Sequence, residues 1–224
     1  NFTITVAGNT SISSFDPFVP NSSYSTYGSG YFDGTGDYLT STPGSQYAFG
    51  QGDLTVEMWI YPTSNITSTT NIGLFYVDQI NALAIGLNNG YIAWARRDVA
   101  YDLVSSYIPP LNTWTHVAVV RTGAVGYIFA NGTIVGTVTA SGGNPSNNSN
   151  YVSTTGIPYI AGNYGTAPGN GYFPGYITDV RVVKGTAVYT TTFTPPSEPL
   201  TAIANTSLLT LQNNQSVNNN VFLD

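Results

Sequence analysis

The chain has no cysteine, a single histidine, and only five lysines and arginines in 224 residues. Each shortage excludes a kind of chemistry. Without cysteine there is no thiol redox centre and no thiolate metal site. Zinc needs several His or Cys ligands, which His116 alone cannot supply. The cations Arg96, Arg97, Arg121, Arg181 and Lys184 form no cluster. Nucleic-acid binding depends on clustered Lys and Arg that displace counterions, so no nucleic-acid partner is expected. Charged residues make up 7% of the chain, with a net charge of −6 and a pI near 4.3; an ordinary globular protein has ~25%. No apolar run reaches the ~18 residues of a membrane-spanning helix. No long window has a 3.6-residue period, and no segment repeats at ~20–50 residues, so solenoids and propellers lose support.

What is present points to strands. Hydrophobic residues reach 42%, too many for disorder, and Asn, Thr, Ser, Gly and Tyr supply the polar surface. Leu54–Tyr61 alternates, with Leu54, Val56, Met58 and Ile60 on one face and Glu57 and Trp59 on the other. Asn71–Asp78, Ala82–Asn88 and Tyr91–Arg96 follow, the last two joined by an Asn89-Gly90 turn. Thr113–Arg121, Val125–Ala130 and Thr133–Thr139 form a meander through Thr122-Gly123 and Asn131-Gly132, a strong hairpin signature. Phe2–Val6 reads as a first strand, Gly8–Gly30 as a long loop, Ser141–Asn150 as a polar loop, and Ser207–Leu211 as a late strand. In Tyr176–Val183, strict alternation puts Tyr176, Thr178, Val180 and Val182 towards a core. Ile177, Asp179, Arg181 and Val183 then share the other face, and Thr186–Tyr189 has room for one helical turn. The sum is an all-β chain of two packed antiparallel sheets, a length that suits one domain.

Four segments carry a family resemblance: Phe32–Leu39 (FDGTGDYL), Phe49–Tyr61 (FGQGDLTVEMWIY), Trp114–Arg121 with Ile128–Gly132 (WTHVAVVR, IFANG), and Gly175–Tyr189 (GYITDVRVVKGTAVY). In order and spacing they resemble laminin-G-like jellyroll domains of the concanavalin A-like lectin/glucanase superfamily. The wording is most similar to modules of tailed-phage and marine-virus structural proteins. The resemblance implies a two-sheet antiparallel jellyroll sandwich. Residues 1–224 form one domain: a strand and long loop over 1–29, a core jellyroll over 30–200, and a late strand and linker over 201–224. The chain starts at Asn1 without Met, as a processed product or excised module would. Asn1–Thr5 and Phe222–Asp224 are similar to the ends of units in tandem arrays.

This family hosts lectins, adhesins, glycanases and structural modules, so function is argued from residues. Glycanases need two carboxylates, and relatives place them two or four residues apart on one strand. Here Glu57 stands alone, with Thr55, Trp59 and Tyr61 at the matching positions, and Glu198 lies among prolines. No catalytic residue is assigned, and His116 reads as structural. The resemblance implies a structural Ca²⁺ held by Asp179, Asp33 and the carbonyl of Gly34; alternatively Asp179 simply pairs with Arg181. Sugar binding needs exposed aromatic faces and side chains that read hydroxyls. The candidates are Tyr91, Trp94, Tyr101, Asp102, Asn163 and Tyr164, although each of these aromatics suits core or subunit packing equally well. Sequons at Asn1, Asn9, Asn21, Asn65, Asn131, Asn147, Asn205 and Asn214 are candidate glycosylation sites, of a kind an Asn-, Ser- and Thr-rich chain also produces by chance.

The expectation is a non-enzymatic adhesion module, extracellular or on a virion exterior, whose partner is a cell-surface or extracellular glycan. The rival is a purely structural unit of a fibre or capsid, whose partners are copies of itself or other virion proteins. A glycan hydrolase is the third reading.

Overall fold

The computed structural model describes residues 3–18, 27–67, 71–139, 150–162 and 170–213. Sixteen strands run in chain order: β1 (Ile4–Ala7), β2 (Ser11–Ser13), β3 (Ser29–Asp33), β4 (Tyr38–Ser41), β5 (Leu54–Pro62), β6 (Asn71–Asp78), β7 (Leu83–Asn88), β8 (Tyr91–Arg96), β9 (Ala100–Val104), β10 (Thr115–Thr122), β11 (Val125–Ala130), β12 (Thr133–Thr139), β13 (Ile157–Ile160), β14 (Asn170–Gly171), β15 (Pro174–Lys184) and β16 (Thr206–Thr210). They build two sheets. The first has the order β1-β4-β13-β6-β7-β8-β9, with β14 beside β6; the second has the order β12-β11-β10-β5-β15-β3-β2, with β16 beside β15. Among the described residues, all pairs are antiparallel except β14–β6. This is the expected all-β, two-sheet antiparallel sandwich.

The core lies between the sheets, where alternation delivers Leu54, Val56, Met58 and Ile60 of β5 and Val117 and Val119 of β10. Leu83, Ile85 and Leu87 of β7 and Ile92 and Trp94 of β8 meet them from the first sheet. The hairpin turns have the conformation their residues favour. Asn89 and Gly90 have φ of 48° and 87°, and Asn131 and Gly132 have 48° and 75°, the paired positive φ of a type I′ turn.

Four sequence expectations change. Gly8–Gly30 is not one loop, because β2 lies within it and β3 begins at Ser29. Thr186–Tyr189 makes no helical turn. Ala100–Val104, around Tyr101 and Asp102, adds an edge strand to those read from the sequence. In β15 strict alternation fails at a bulge, where Thr178 pairs with Trp59 but Arg181 pairs with Glu57. One extra residue reverses the parity of everything beyond it, and Asp179 takes a φ of 55° there. Ile177 therefore joins Val180 and Val182 in the core. Tyr176 instead faces the other way, towards Tyr31 and Tyr61.

Candidate functional site

The outer face of the first sheet is built around the β7–β8 hairpin. Because Leu83, Ile85, Leu87, Ile92 and Trp94 face the core, Ala84, Gly86, Ala93 and Ala95 face outward. Register sets out a row across four strands: Tyr76 opposite Ala84, Ala84 opposite Ala95, and Ala95 opposite Tyr101. Tyr159 lies beside Tyr76 on the far side. Small residues thus floor a trough between tyrosines.

Tyr101 is 41% exposed and crosses above β8 and β7. Its hydroxyl donates to Asn71 Oδ1 on β6 and accepts from Asn88 Nδ2 on β7 at 2.7 Å. Burial of the phenol raises its pKa above the usual tyrosine value, although the bonds to Asn88 and Asn71 pull the other way. It therefore stays a donor at neutral pH. Asn71, Ile72, Ala84, Gly86, Leu87, Ala93, Ala95 and Tyr101 line a shallow, half-open depression. Gly86 is required there because a Cβ would come within 2.3 Å of the Ile72 carbonyl. Next to it Tyr76 is buried against Ala84 and Ala95. Tyr76 and Tyr159 stack at 4.9 Å and 2°, Tyr38 packs on Tyr159 at 5.2 Å, and the Arg97 guanidinium covers the Tyr76 ring at 5.6 Å. Arg97 is itself held by Asp78 at 2.8 Å and Asp98 at 3.0 Å.

Of the sugar-binding candidates, the structure brings two to this face. Tyr101 is one. Tyr91 is the other, 39% exposed and opposite Asn88 at the end of the hairpin. Trp94 is a correction: it is fully buried and packs so closely on the second sheet that a Cβ at Gly126 would lie 2.4 Å from its ring. Asp102 is another. It is the extra residue of a bulge between β8 and β9, which turns its carboxylate inward to Arg96 Nε at 3.3 Å and to the Tyr151 hydroxyl. Neither can touch a ligand on the surface. Asn163 and Tyr164 lie outside the described residues. Asn71, Asn88, Tyr76 and the small-residue floor were not anticipated. The pattern Ala84-x-Gly86 and Ala93-x-Ala95 on two hairpin strands was a readable signal for the floor; nothing marked the asparagines.

The structure does not bring together the two carboxylates implied by the resemblance. Asp33 is opposite Pro174 on β15, five residues and about 15 Å along the strand from Asp179. One ion with ligands at ~2.4 Å cannot bridge that span. Asp179 pairs with no arginine either: it is buried and accepts from the Leu200 N–H at 2.6 Å and the Thr178 hydroxyl at 3.0 Å. Asp33 accepts from the Thr35 N–H. Among the described residues no group of three His, Asp or Glu side chains could hold a metal. Of the sequons, Asn65, Asn131 and Asn205 are exposed, as is Asn9. Asn131 Oδ1 accepts from the His116 N–H. Asn1, Asn21, Asn147 and Asn214 lie outside the described residues.

Glu57 sits on the second sheet and is fully buried. Its Oε1 accepts from Arg181 Nε at 2.9 Å and Nη2 at 2.6 Å. Its Oε2 accepts from the Tyr189 hydroxyl at 2.8 Å and lies 3.2 Å from His116 Nε2. Burial raises its pKa, but His116 and Arg181 outweigh that and hold it below the usual carboxylate value. Glu57 is thus a buried carboxylate partnered on both oxygens. His116 is fully buried, and its Nδ1 makes no hydrogen bond.

Residues 33–191 match the family described as the Concanavalin A-like lectin/glucanases superfamily, Laminin_G_3. The chain belongs to that family. Curated protein sequences return no match. Solved structures share its fold at low identity. Domain 4 of AbnA, a GH43 extracellular arabinanase from Geobacillus stearothermophilus, in complex with arabinotriose, is 14% identical with a TM-score of 0.58. That match covers 84% of each chain. The binding domain of botulinum neurotoxin serotype G is 10% identical with a TM-score of 0.56, over 84% of this chain and 44% of that one. The binding domain of Paraclostridial Mosquitocidal Protein 1 is 14% identical with a TM-score of 0.57, over 84% and 45%. This chain thus spans less than half of either toxin domain. At these identities the likeness is one of fold.

Proposed function

We propose that this chain is a non-catalytic glycan-binding module whose site is the outer face of the first sheet. One observation carries the reading. Tyr101 holds an exposed ring over a trough of alanine and glycine, anchored by two carboxamides of the kind that read sugar hydroxyls. The ring supplies an apolar face for a sugar, and Asn71 and Asn88 hold it in place through its hydroxyl. Its anchored phenol limits the rotamer freedom that binding would otherwise remove. The arabinotriose complex of the AbnA domain supports a sugar-binding role on this fold. A place outside the cell or on a virion exterior belongs to the same proposal.

The test is a glycan array, followed by calorimetry on whichever glycan binds. Tyr101→Ala should weaken binding about tenfold or more, as loss of an anchoring aromatic does at other interfaces, with the melting temperature little changed. Binding that ignores Tyr101 would move the site elsewhere. A second reading rests on β12, an edge strand of sequence TIVGTVT that carries no charge and no proline and is mostly exposed. Such an edge can pair with another copy. No glycan binding combined with concentration-dependent assembly would favour that structural role.

A further inference from the structure

We infer that two tyrosine pairs, Tyr38 with Tyr159 and Tyr31 with Tyr176, are sites of oxidative cross-linking that fasten one flank of the sandwich to both sheets. The inference stands apart from the glycan reading, because none of these rings lines the depression beside Tyr101. The chain has 17 tyrosines and no cysteine, so a covalent staple in it must come from chemistry other than a disulfide. The strands β1–β4 form the flank, two in each sheet. In the first sheet β1 pairs with β4, and β4 meets β13 through Tyr159 opposite Thr40 and Ile160 opposite Leu39. In the second, β2 pairs with β3, and β3 meets β15 from Asp33 opposite Pro174 to Gly30 opposite Ile177. A tyrosine pair lies across each of these short joints.

The ring centroids of Tyr38 and Tyr159 are 5.2 Å apart with a tilt of 44°. Tyr31 and Tyr176, directly opposite each other, are 4.9 Å apart with a tilt of 48°. All four residues are half-buried, which leaves part of each ring open to a small oxidant and to water. Other tyrosine contacts suit the reaction less. Tyr76 and Tyr159 are parallel within 2°, so their faces meet rather than their edges, and Tyr76 is only 4% exposed. Tyr61 and Tyr172 stand 6.0 Å from Tyr176 and 6.2 Å from Tyr38. In each link two equivalents of a one-electron oxidant, a metal-centred or oxygen-centred radical, take one electron from each ring. Water takes the two hydroxyl protons. The two phenoxyl radicals join through a new bond between ortho ring carbons, and the hydrogens on those carbons move to the oxygens. Both phenols are restored, and the chain has lost two hydrogen atoms. Each link closes a long loop and so restricts the unfolded chain.

The experiment illuminates the folded chain with a ruthenium polypyridyl complex and persulfate, which together supply the one-electron oxidant. The monomer is then isolated, digested and searched by mass spectrometry for linked peptides. Wild type should show dityrosine fluorescence, a Tyr38–Tyr159 link and a Tyr31–Tyr176 link, and its midpoint in urea unfolding should rise. Tyr159→Phe keeps a ring but no phenol, and should lose the first link while retaining the second. Tyr176→Phe should do the reverse, so each variant shows that the other joint is still folded. Chain unfolded in urea before illumination should lose the preference for both pairs. Links between other tyrosines of the folded monomer, or an oxidised monomer with neither link, would overturn the assignment. A linked monomer whose urea midpoint stays unmoved would overturn the fastening role.

Discussion

The two sheets have outer faces of opposite character. That of the first sheet is the more open: Ala84, Gly86, Ala93 and Ala95 form a floor that Tyr101 crosses and against which Tyr76 packs. That of the second sheet is roofed twice. Phe15 packs on Tyr61, Trp114 and Tyr176 at 4.8–5.3 Å, and Phe18 packs on Trp59 at 6.0 Å. The segment after β15 folds back, where Tyr189 and Phe193 stack at 3.6 Å and Phe193 meets Phe129 at 5.3 Å. Beneath that roof lie Ala118 and Val120, and the charged group of Glu57, Arg181 and His116. The difference teaches where each kind of polar residue can work. Under a roof, charges must pair with one another; on the open face, uncharged amides and phenols remain within reach of a ligand.

The comparison can be broken most violently at Glu57. Glu57→Ala would leave Arg181 and His116 buried without their partner, a loss of about 3–5 kcal/mol, visible as a lower midpoint in urea unfolding. Glycan binding by the fraction that folds should be unaffected. Next comes Asp179, whose pKa burial raises to about 7, against the bonds from Leu200 and Thr178. Raising a carboxyl's folded pKa above its unfolded value favours the neutral form. Its stabilising contribution is therefore complete below about pH 4 and is lost as pH rises through 7. Asp179→Asn keeps an acceptor for the Leu200 N–H. It should raise stability at pH 8 by on the order of 2–4 kcal/mol and flatten the dependence of melting temperature on pH between 4 and 8. An unchanged pH profile would refute this account of Asp179.

Phe193→Ala removes one ring of the roof and should cost about 2–3 kcal/mol, the lower part of the range for an aromatic truncation because the side chain is only half-buried. The smallest stability effect belongs to the open face. Tyr101→Ala removes an exposed ring and two surface hydrogen bonds, and should change stability by less than about 1 kcal/mol. A larger loss would mean that Tyr101 holds the sheet together rather than waiting for a ligand.

The strand order of the hairpins was legible because Asn-Gly pairs at 89–90 and 131–132 demand positive φ and because β5, β7, β8 and β10 alternate cleanly. The site was less legible. Tyr101 could be named as an exposed aromatic, yet Trp94, on the adjacent strand, could not be told from it by composition. The bulge at Asp102 was invisible because a bulge is stabilised by what the extra residue meets, here Arg96 on the neighbouring strand and Tyr151, 49 residues further along the chain. Asp179 has the same cause, with its partner Leu200 arriving from the returning segment.

Sequence alone therefore determined an all-β sandwich, its meander and hairpins, its family likeness, and the absence of thiol and basic-patch chemistry. Those properties depend on residue type and local period. Tertiary structure decided which outer face is roofed, which aromatics reach the surface, and where Glu57 and Asp179 spend their charge. Alternation divides a strand into two faces without saying what covers either one, and a single bulged residue exchanges them.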